Sequence, residues 1–477
     1  MTDFTNTPIL PASRVELEGS RYALAQTAGG DRLLLVSGDA AGFSGQPIDA
    51  ATLLCPLSAG NAAELRRRLP WLNAATLGLR TSAGFGDRLG LATPGHVAAV
   101  RGTGIGPIFA QQSVRENTRT GRTPQSVMDD AMWGVFEAGW REPWGADADH
   151  LKLTDDIPPF AAAGYTFYTI DPGDHVDDAA ESDDLATLRA KAERLDWQTL
   201  QSSVETLRER YQRAFTLDGL TLEFDERALL KALAKYGAAV AHTVRMFRQL
   251  EASSAGRPFE MEMSVDETGT TTSLHEHFTI ASELTRLGVP FVSLAPRFVG
   301  RFEKGVDYIG DLSELEQNIA GHAAIMRHFG NRYKLSLHTG SDKFGVYPIA
   351  ARHTGGLVHL KTAGTSYLEA LRVAAAVDPA LFRRILDFAR DRYETDRKTY
   401  HVSAELAKVP PAADLSDDAL AGLLDQFDAR QVLHVTFGSV LDTFGAELHR
   451  LLRDHTATYE DYLKRHFTRH LDGLRLP

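Results

Sequence analysis

The chain has 477 residues, of which 43% are hydrophobic and 24% charged, and its formal net charge is −12 at pH 7. This length can bury a substantial core, and no apolar run approaches the ~20 residues needed to cross a bilayer, so we expect no membrane partner. The acidic balance argues against nucleic acid, because binding to phosphates requires a basic face.

The N-terminal segment and the cysteine content favour the cytoplasm. The segment "MTDFTNTPIL" lacks a basic region followed by an apolar one, so we predict no signal peptide. Cys55 is the only cysteine, which excludes an intrachain disulfide and a metal cluster of thiolates. We therefore expect a cytoplasmic protein, and homo-oligomerisation stays open.

Eight short apolar or alternating runs between residues 76 and 361 predict eight β-strands. In chain order they are "TLGLRT", "PIFAQQS", "DHLKLT", "YTFYTID", "FEMEMSVDE", "PFVSLAP", "KLSLHTG" and "LVHLK". Helical patterns lie between most of them, including one with Pro124 near its start and one that ends at Gly330. Strands that alternate with helices predict an α/β fold, a (β/α)8 TIM-like barrel over residues 76–377.

Three segments are predicted to lie outside the regular barrel. Residues 1–75 contain the strand-like run "RLLLVSG" and form an N-terminal extension that packs on the barrel. After the fourth strand, residues from about 172 to 254 begin with the acidic "DPGDHVDDAAESDD" and continue into helical patterns, which predicts a helical insertion. Residues 378–477 form a mostly helical C-terminal extension with one strand-like run, "VLHVTFGS".

The last two predicted strands each carry a histidine. Because alternate side chains of a strand share a face, Ser336, His338, His359 and Lys361 all point to one side. A single buried histidine is more often a hydrogen-bonded core residue than a ligand. Two histidines on matching faces of neighbouring strands instead indicate a polar cavity inside the barrel.

The active site of this fold lies at the C-terminal ends of the strands, and the predicted strands deliver many polar side chains there. These are Arg80, Asp87, Arg88, Gln112, Lys152, Asp155, Asp156, Asp171, Asp266, Glu267, Arg297, His338, Asp342, Lys343, His359 and Lys361. A purely structural barrel end holds two or three salt bridges. The larger set therefore predicts a catalytic pocket.

Histidines and carboxylates without cysteine are typical ligands of a divalent metal such as Zn²⁺, Mn²⁺, Ni²⁺ or Co²⁺ in an open catalytic site. We expect Asp156, His338 and His359 to bind one such ion, with Glu267 as the substitute ligand should one of them be wrong. In "LHEHF", by contrast, His275 and His277 lie about 200° apart on a helix and are interpreted as structural.

Two glycine-containing segments have different interpretations. "GTGIG" at residues 102–106 precedes a strand rather than opening a helix, so it is not a nucleotide-binding loop. In "KTAGTSYLEALR", Gly364 and Thr365 begin a helix whose free amides suit a carboxylate or phosphate. An ordinary capped helix explains the second segment equally well.

Seven segments together resemble the tagaturonate epimerase family. They are "GFGDRLGLATPGH", "RTPQSVMDDAMWGVFEAGW", "ADHLKLTDDI", "EMEMSVDETGTTTSLHEHF", "LAPRFVGRFEKGVDYIGD", "LHTGSDKFGVYP" and "VHLKTAGTSYLEALR". Members of that family interconvert D-tagaturonate and D-fructuronate with a divalent metal, and some related enzymes act on neutral ketohexoses. The resemblance, which spans about residues 80–375, implies an isomerase that acts on a small keto sugar acid. The chain has Asp155-Asp156 where the family pattern would have Glu-Asp.

The implied substrates restrict the chemistry. They differ at one carbinol carbon, which lies β to the ketone, so its C–H is not acidified. Removal of the proton from its hydroxyl permits retro-aldol cleavage to an aldehyde and an enediolate, which the metal would stabilise; the aldehyde then turns and is attacked on its other face.

The predicted site residues have separate roles in this reaction. Asp155 and Glu267 would transfer protons on the two faces, and Lys152 would set the charge state of Asp155. The carboxylate of the substrate would meet some of Arg80, Arg88, Arg297, Lys343 and Lys361, with the helix start at Thr365 as an additional contact. Gln112, Asp266 and Asp342 complete the predicted substrate-binding set.

Other functions remain alternatives at this stage. A class II type aldolase would use the same metal and acids but release two fragments. A fructose/tagatose 4-epimerase would act on neutral sugars, and a non-catalytic sugar-acid binding protein would show no turnover. Transient oxidation by a nicotinamide lacks support, because the chain has no dinucleotide fingerprint.

Overall fold

The computed structural model describes residues 8–27, 29–362 and 364–476. Its strands are β1 Val15–Leu17, β2 Ser20–Gln26, β3 Arg32–Ser37, β4 Gln46–Asp49, β5 Thr52–Cys55, β6 Ser82–Gly84, β7 Gly106–Ser113, β8 Gly145–Leu151, β9 Phe167–Ile170, β10 Ala214–Leu217, β11 Leu220–Glu223, β12 Glu260–Ser264, β13 Ser293–Ala295, β14 Lys334–Leu337 and β15 Val358–Lys361. Its helices are α1 Ala59–Arg68, α2 Thr93–Val100, α3 Val114–Thr120, α4 Pro124–Glu137, α5 Ile157–Ala163, α6 Leu185–Glu193, α7 Trp197–Leu200, α8 Val204–Tyr211, α9 Glu226–Ser254, α10 Leu274–Arg286, α11 Leu312–His328, α12 Tyr347–Thr354, α13 Thr365–Val377, α14 Pro379–Asp396, α15 Asp417–Leu420, α16 Phe427–Val435, α17 Phe437–Asp454 and α18 Thr456–Asp472.

Eight parallel strands close into a barrel in the order β6-β7-β8-β9-β12-β13-β14-β15, with β15 pairing β6. The predicted (β/α)8 fold is therefore confirmed. The first strand, however, is Ser82–Gly84, so the predicted run "TLGLRT" lies before it and is not a strand. The third strand ends at Leu151, earlier than predicted, and the residues that follow form a short 3-10 turn, Thr154–Asp156.

The N-terminal strands form a separate antiparallel sheet in the order β1-β2-β3-β5-β4. This sheet contacts the barrel through Arg32, whose guanidinium lies 2.9 Å from Glu137 of α4. It also contacts the C-terminal helices through an ion pair between Asp31 and Arg453 of α17. The division of the chain at residues 75 and 377 stays a prediction.

The segment between β9 and β12 contains short helices, the hairpin β10-β11 and the 29-residue helix α9. The hairpin departs from the purely helical insertion that the sequence predicts. One face of α9 packs on the barrel helices, where the fully buried ammonium of Lys235 lies 3.2 Å from Glu276. No helix in residues 8–27, 29–362 and 364–476 has the length and apolar character to span a membrane.

The C-terminal extension is a group of helices that packs on one side of the barrel. Its strand-like run "VLHVTFGS" lies in α16 and α17, so that strand prediction is wrong. Every residue of α16 from Asp428 to Val435 is buried. A helix buried on all sides shows the same continuous apolar pattern as a buried strand, which explains the error.

Candidate active site

The inner wall of the barrel is polar at the C-terminal ends of the strands. The ammonium of Lys361 lies 2.7 Å from Asp147 Oδ2, 2.7 Å from Asp149 Oδ1 and 3.1 Å from Glu262 Oε1. All four side chains are buried. Burial disfavours the charged form of Lys361, but Asp147 and Asp149 outweigh it and raise its pKa. The lysine is therefore a fixed positive charge among three acids.

Two imidazoles face each other above this lysine. His150 Nε2 lies 3.3 Å from His338 Nδ1. The opposite nitrogen of each ring contacts a carboxylate, with His150 Nδ1 3.0 Å from Asp171 Oδ2 and His338 Nε2 2.5 Å from Glu262 Oε1. Carboxylates in these positions fix the orientation of each ring and direct the remaining nitrogens towards one point.

A β-bulge places His150 in this position. The register of β8 against β9 shifts between Ala148 and Leu151, and His150 has a φ of +51°. A bulge redirects a side chain, and a non-glycine residue in the left-handed region costs free energy that the surrounding structure must offset. The local strain therefore serves to turn His150 towards the cavity.

Ligand atoms from Asp149, His150 and His338 lie within 4.8 Å of one another, and so do those of His150, Asp171 and Glu267. The two groups share His150. Burial opposes the charged form of His150, but Asp149 and then Asp171 raise its pKa to about 10. A set of imidazoles and carboxylates is the donor chemistry of Zn²⁺, Mn²⁺, Ni²⁺ or Co²⁺.

A cavity of about 370 Å³ opens over these groups. Asp266 and Glu267 line it from the end of β12, and Tyr400 lines it from the C-terminal extension. Lys304, which lines the same cavity, lies 2.9 Å from Thr339 Oγ1 and forms no ion pair within the described residues. A smaller space of about 30 Å³ continues inward and reaches Lys361.

The structure brings six of the predicted site residues to these two cavities. They are Arg88, Asp266, Glu267, Arg297, His338 and Lys361. Asp266 lies 3.1 Å from His338 Nδ1, and Arg297 donates a hydrogen bond to the backbone carbonyl of Asp266. The face shared by His338 and Lys361 is thus the inner face of the barrel.

The turn after β8 keeps three predicted residues away from the cavities. Asp156 Oδ2 accepts hydrogen bonds from the backbone N–H groups of Lys152 and Leu153, at 3.1 and 2.9 Å. Asp155 is exposed, and the half-exposed Lys152 pairs with Asp174 at 3.0 Å. The strand ends three residues earlier than expected, so these side chains line neither cavity; that Asp156 binds the metal and that Asp155 and Lys152 act in catalysis stay predictions.

His359 lies one layer deeper in the barrel than His338. Its Nδ1 is 2.9 Å from Ser82 Oγ, which is also 2.9 Å from the ammonium of Lys334 at the start of β14. It belongs to neither of the two groups around His150. Residues 359 and 361 share a face but occupy successive layers, and that His359 binds the metal stays a prediction.

Two other predicted residues, Arg80 and Gln112, contact backbone carbonyls and do not line the cavities. Arg80 precedes β6, and its guanidinium lies 3.4 Å from the carbonyl of Gly104 at the N-terminal end of the barrel. The Gln112 amide donates to the carbonyl of Asp87 at 2.6 Å. Neither residue lines the two cavities, Arg80 because it precedes the first strand, and their role in substrate binding stays a prediction.

Asp342 and Lys343 belong to a buried cluster beneath the C-terminal helices. Lys343 donates to the carbonyls of Glu303, Val306 and Ser341. Asp342 pairs with Arg430 at 2.9 Å, and its backbone N–H donates to His470 Nε2. These contacts hold the loop after β14 in place, and substrate binding by the two residues stays a prediction.

Sequence reasoning missed many residues that line the cavities, among them Asp149, His150, Arg115, Lys304, Tyr400 and His434. Asp149 and His150 stand inside the predicted third strand, where an earlier strand end would have exposed them. Tyr400 and His434 come from the C-terminal extension, and no local pattern marks them.

Comparisons with known proteins agree with this architecture. The model of the family described as tagaturonate epimerase, UxaE, matches residues 16–474. A tagaturonate/fructuronate epimerase of Thermotoga maritima is 45% identical over 422 residues, which cover 88% of this chain and 86% of that protein.

Solved structures show the same fold over nearly the whole chain. The native crystal structure of fructuronate-tagaturonate epimerase UxaE from Cohnella laeviribosi is 36% identical, has a TM-score of 0.93 and covers 99% of this chain and 97% of its own. A complex of that enzyme with one glycerol is 37% identical, with a TM-score of 0.92 and coverage of 98% and 96%. The predicted family and the predicted isomerase class are confirmed. The chain belongs to the tagaturonate epimerase family.

Proposed function

We propose that this chain is a metal-dependent enzyme that interconverts D-tagaturonate and D-fructuronate by inverting one carbinol carbon. The observation that carries the proposal is the facing pair of His150 and His338 nitrogens, 3.3 Å apart at the floor of the cavity. The names of the Thermotoga and Cohnella relatives support the choice of substrates.

The donor set at this floor fits a divalent cation. Buried carboxylates hold the outer nitrogens of the two rings, and the facing nitrogens also lie near acids, His338 Nδ1 at 3.1 Å from Asp266 and His150 Nε2 at 3.9 Å from Asp149. Asp149, His150 and His338 would hold the ion, and Glu267 lies in the adjoining group. When bound, such an ion supplies a Lewis acid that stabilises negative charge on the oxygens of the substrate.

The residues of the cavity wall would carry the proton transfers. Glu267 lies at the cavity with 30% of its side chain exposed, and Arg115 at 3.4 Å orients its carboxylate. Glu267 takes the proton from the hydroxyl of the carbon to be inverted. The C–C bond towards the ketone then breaks, its electron pair enters a three-carbon enediolate, and the carbinol carbon becomes an aldehyde.

Tyr400 would serve the other face of the aldehyde. The enediolate carbon re-forms the bond on that face, and the phenol donates its proton to the new alkoxide oxygen. Arg119 contacts the phenol oxygen, and the guanidinium of Arg115 lies 5.4 Å from the centre of the ring. Before the next turnover in the same direction, Glu267 gives its proton to solvent and the Tyr400 phenolate takes one up; in the reverse reaction the two groups exchange the roles of acid and base.

The proposal is tested by following D-fructuronate by NMR in D₂O with metal-loaded enzyme. We expect D-tagaturonate to form with the original hydrogen retained on the inverted carbon, since no C–H bond at that carbon breaks. Deuterium at that carbon would contradict the retro-aldol route. Absence of D-tagaturonate with every divalent metal in the predicted set would contradict the function itself.

A further inference from the structure

A second group of polar side chains converges where helix α13 begins. Gly364 precedes this helix with a φ of +89°, and a Cβ atom there would lie 2.5 Å from Arg88 Nη2 and 2.8 Å from His434 Cε1. Arg88 comes from the loop after β6 and His434 from helix α16. Only glycine fits between them, so the close approach of all three segments is built into the sequence.

The polar atoms at this point have unused hydrogen-bonding capacity. Arg88 is 5% exposed and binds Glu116 through Nε and Nη2, at 3.1 and 2.8 Å, but its Nη1 has no partner among the described residues. His434 is fully buried, and both of its ring nitrogens likewise lack a partner in that part of the chain. Buried polar groups are nearly always hydrogen-bonded in folded proteins, so these atoms are available to hold a ligand.

The start of α13 adds further hydrogen-bond donors that favour an anion. This 13-residue helix has no side-chain hydrogen bond capping its first turn within the described residues. Free amides and the helix dipole favour an anion at such an end. The guanidinium of Arg88 lies beside it; Glu116 pairs with Nε and Nη2, and Nη1 is the donor that remains for a ligand.

The size and position of the space fit a carboxylate. Arg88 and His434 line the inner cavity of about 30 Å³, which is enough for about two waters and comparable to two carboxylate oxygens. His150 and His338 line the same space. It also shares Lys304 and Tyr400 with the outer cavity, so one small molecule can occupy both.

We propose that Arg88, His434 and the first turn of α13 bind the carboxylate of the sugar acid and form the pivot on which its aldehyde fragment turns. This inference rests on the proposed function. The carboxylate carbon is two bonds from the carbon that inverts, and after C–C cleavage it stays on the aldehyde fragment.

When its carboxylate is held, the aldehyde fragment can still rotate about the bond between the aldehyde carbon and the adjacent carbinol carbon. That rotation presents the opposite face to the enediolate, and the same bond re-forms with inverted configuration. Without the anchor, the fragment leaves. The enediolate then takes up a proton to give dihydroxyacetone, and the second product is 2-hydroxy-3-oxopropanoate, which together account for all atoms of the substrate. The pivot therefore separates an epimerase from an aldolase.

The test uses His434→Leu and Arg88→Met, with Arg80→Met at the opposite end of the barrel as the matched control. Calorimetry on metal-loaded protein measures the affinity for D-gluconate, which carries the carboxylate but no ketone, and for its neutral alditol. We expect the two pocket variants to lose about tenfold or more in affinity for gluconate and to bind the alditol as the wild type does. Arg80→Met should match the wild type on both.

Turnover of D-fructuronate supplies the second readout. The pocket variants should release dihydroxyacetone at a rate comparable to their remaining epimerisation, whereas the wild type and Arg80→Met release almost none. His434→Leu leaves no ion pair unpaired, so it keeps the test valid if Arg88→Met fails to fold.

Unchanged affinity for gluconate would overturn the anion site, whether or not the wild type epimerises fructuronate. Reduced affinity without release of dihydroxyacetone would overturn the pivot. Absence of epimerisation by the wild type would contradict the proposed function and, separately, leave the gluconate result to decide the anion site.

Discussion

Two buried lysines have opposite surroundings, Lys361 at the end of β15 and Lys343 in the loop after the neighbouring strand β14. Lys361 contacts three carboxylates and faces the inner cavity, and these acids raise its pKa. Lys343, equally buried, donates only to backbone carbonyls, and burial lowers its pKa to about 7. Residue type and burial are the same in both. The two lysines differ in the charge of their partners and in whether a cavity lies beside them. These two features mark the surroundings of Lys361 as the candidate active site.

The largest expected effect distinguishes His150, beside the inner cavity, from His359, which lies deeper in the barrel. His150→Ala should abolish retention of a divalent metal and remove activity, because it deletes a residue common to both ligand groups. His359→Gln, one layer deeper, should keep the metal. Elemental analysis of the purified proteins measures both. Full metal content in His150→Ala would refute the ligand assignment, as would complete loss in a folded His359→Gln protein.

Replacement of each lysine by methionine tests the difference between Lys361 and Lys343 directly. Lys361→Met leaves Asp147, Asp149 and Glu262 buried without their cation and should lower the free energy of unfolding by about 3–5 kcal/mol, together with most of the activity. Lys343→Met should keep kcat within about threefold. Urea denaturation and steady-state kinetics provide the two measurements. Equal losses of kcat in the two variants would show that the distinction is wrong.

A smaller effect is expected for the proton-transfer group. Glu267→Gln should retain its metal and lose on the order of 10²-fold in kcat, the usual contribution of a general acid or base. Asp155→Asn, an exposed change of the same kind, should stay within about twofold of the wild type. The outcome that counts against the assignment is a near wild-type kcat for Glu267→Gln with confirmed metal content.

The smallest effect is a pH dependence of stability. The pKa of Lys343 falls from 10.5 unfolded to about 7 folded, so between these values the unfolded chain binds more protons and the stability rises with pH. Against Lys343→Met, the wild type should gain about 1 kcal/mol per pH unit between pH 7.5 and 9. Denaturant curves at several pH values test this. A difference that is constant with pH, or that shrinks as the pH rises towards 9, would contradict the lowered pKa.

The barrel and part of its site could be predicted because they depend on local periodicity. Alternation in β14 and β15 correctly grouped His338 with Lys361, and the helices between strands indicated the closed parallel sheet. Periodicity does not fix where a strand ends. The predicted third strand ran three residues too far, so the prediction named Asp155 and Asp156, whereas Asp149 lines the inner cavity.

The remainder of the site depends on features without a local signal. The bulge that turns His150 inward is a strained backbone feature, which periodicity does not reveal. Tyr400 and His434 reach the cavities through packing of the C-terminal extension on the barrel. Contacts between residues so distant in sequence follow from the tertiary fold alone.

The packing of the last helix has a consequence for synthesis of the chain. Phe467 of α18 stacks edge-on against Phe85, at 5.2 Å between ring centres, and against His96 of α2 at 4.8 Å. A ribosome makes Phe85 and His96 hundreds of residues before it makes their partner. The loop that carries Arg88 therefore gains this support only after α18 has been synthesised, and a nascent chain that ends before α18 lacks it.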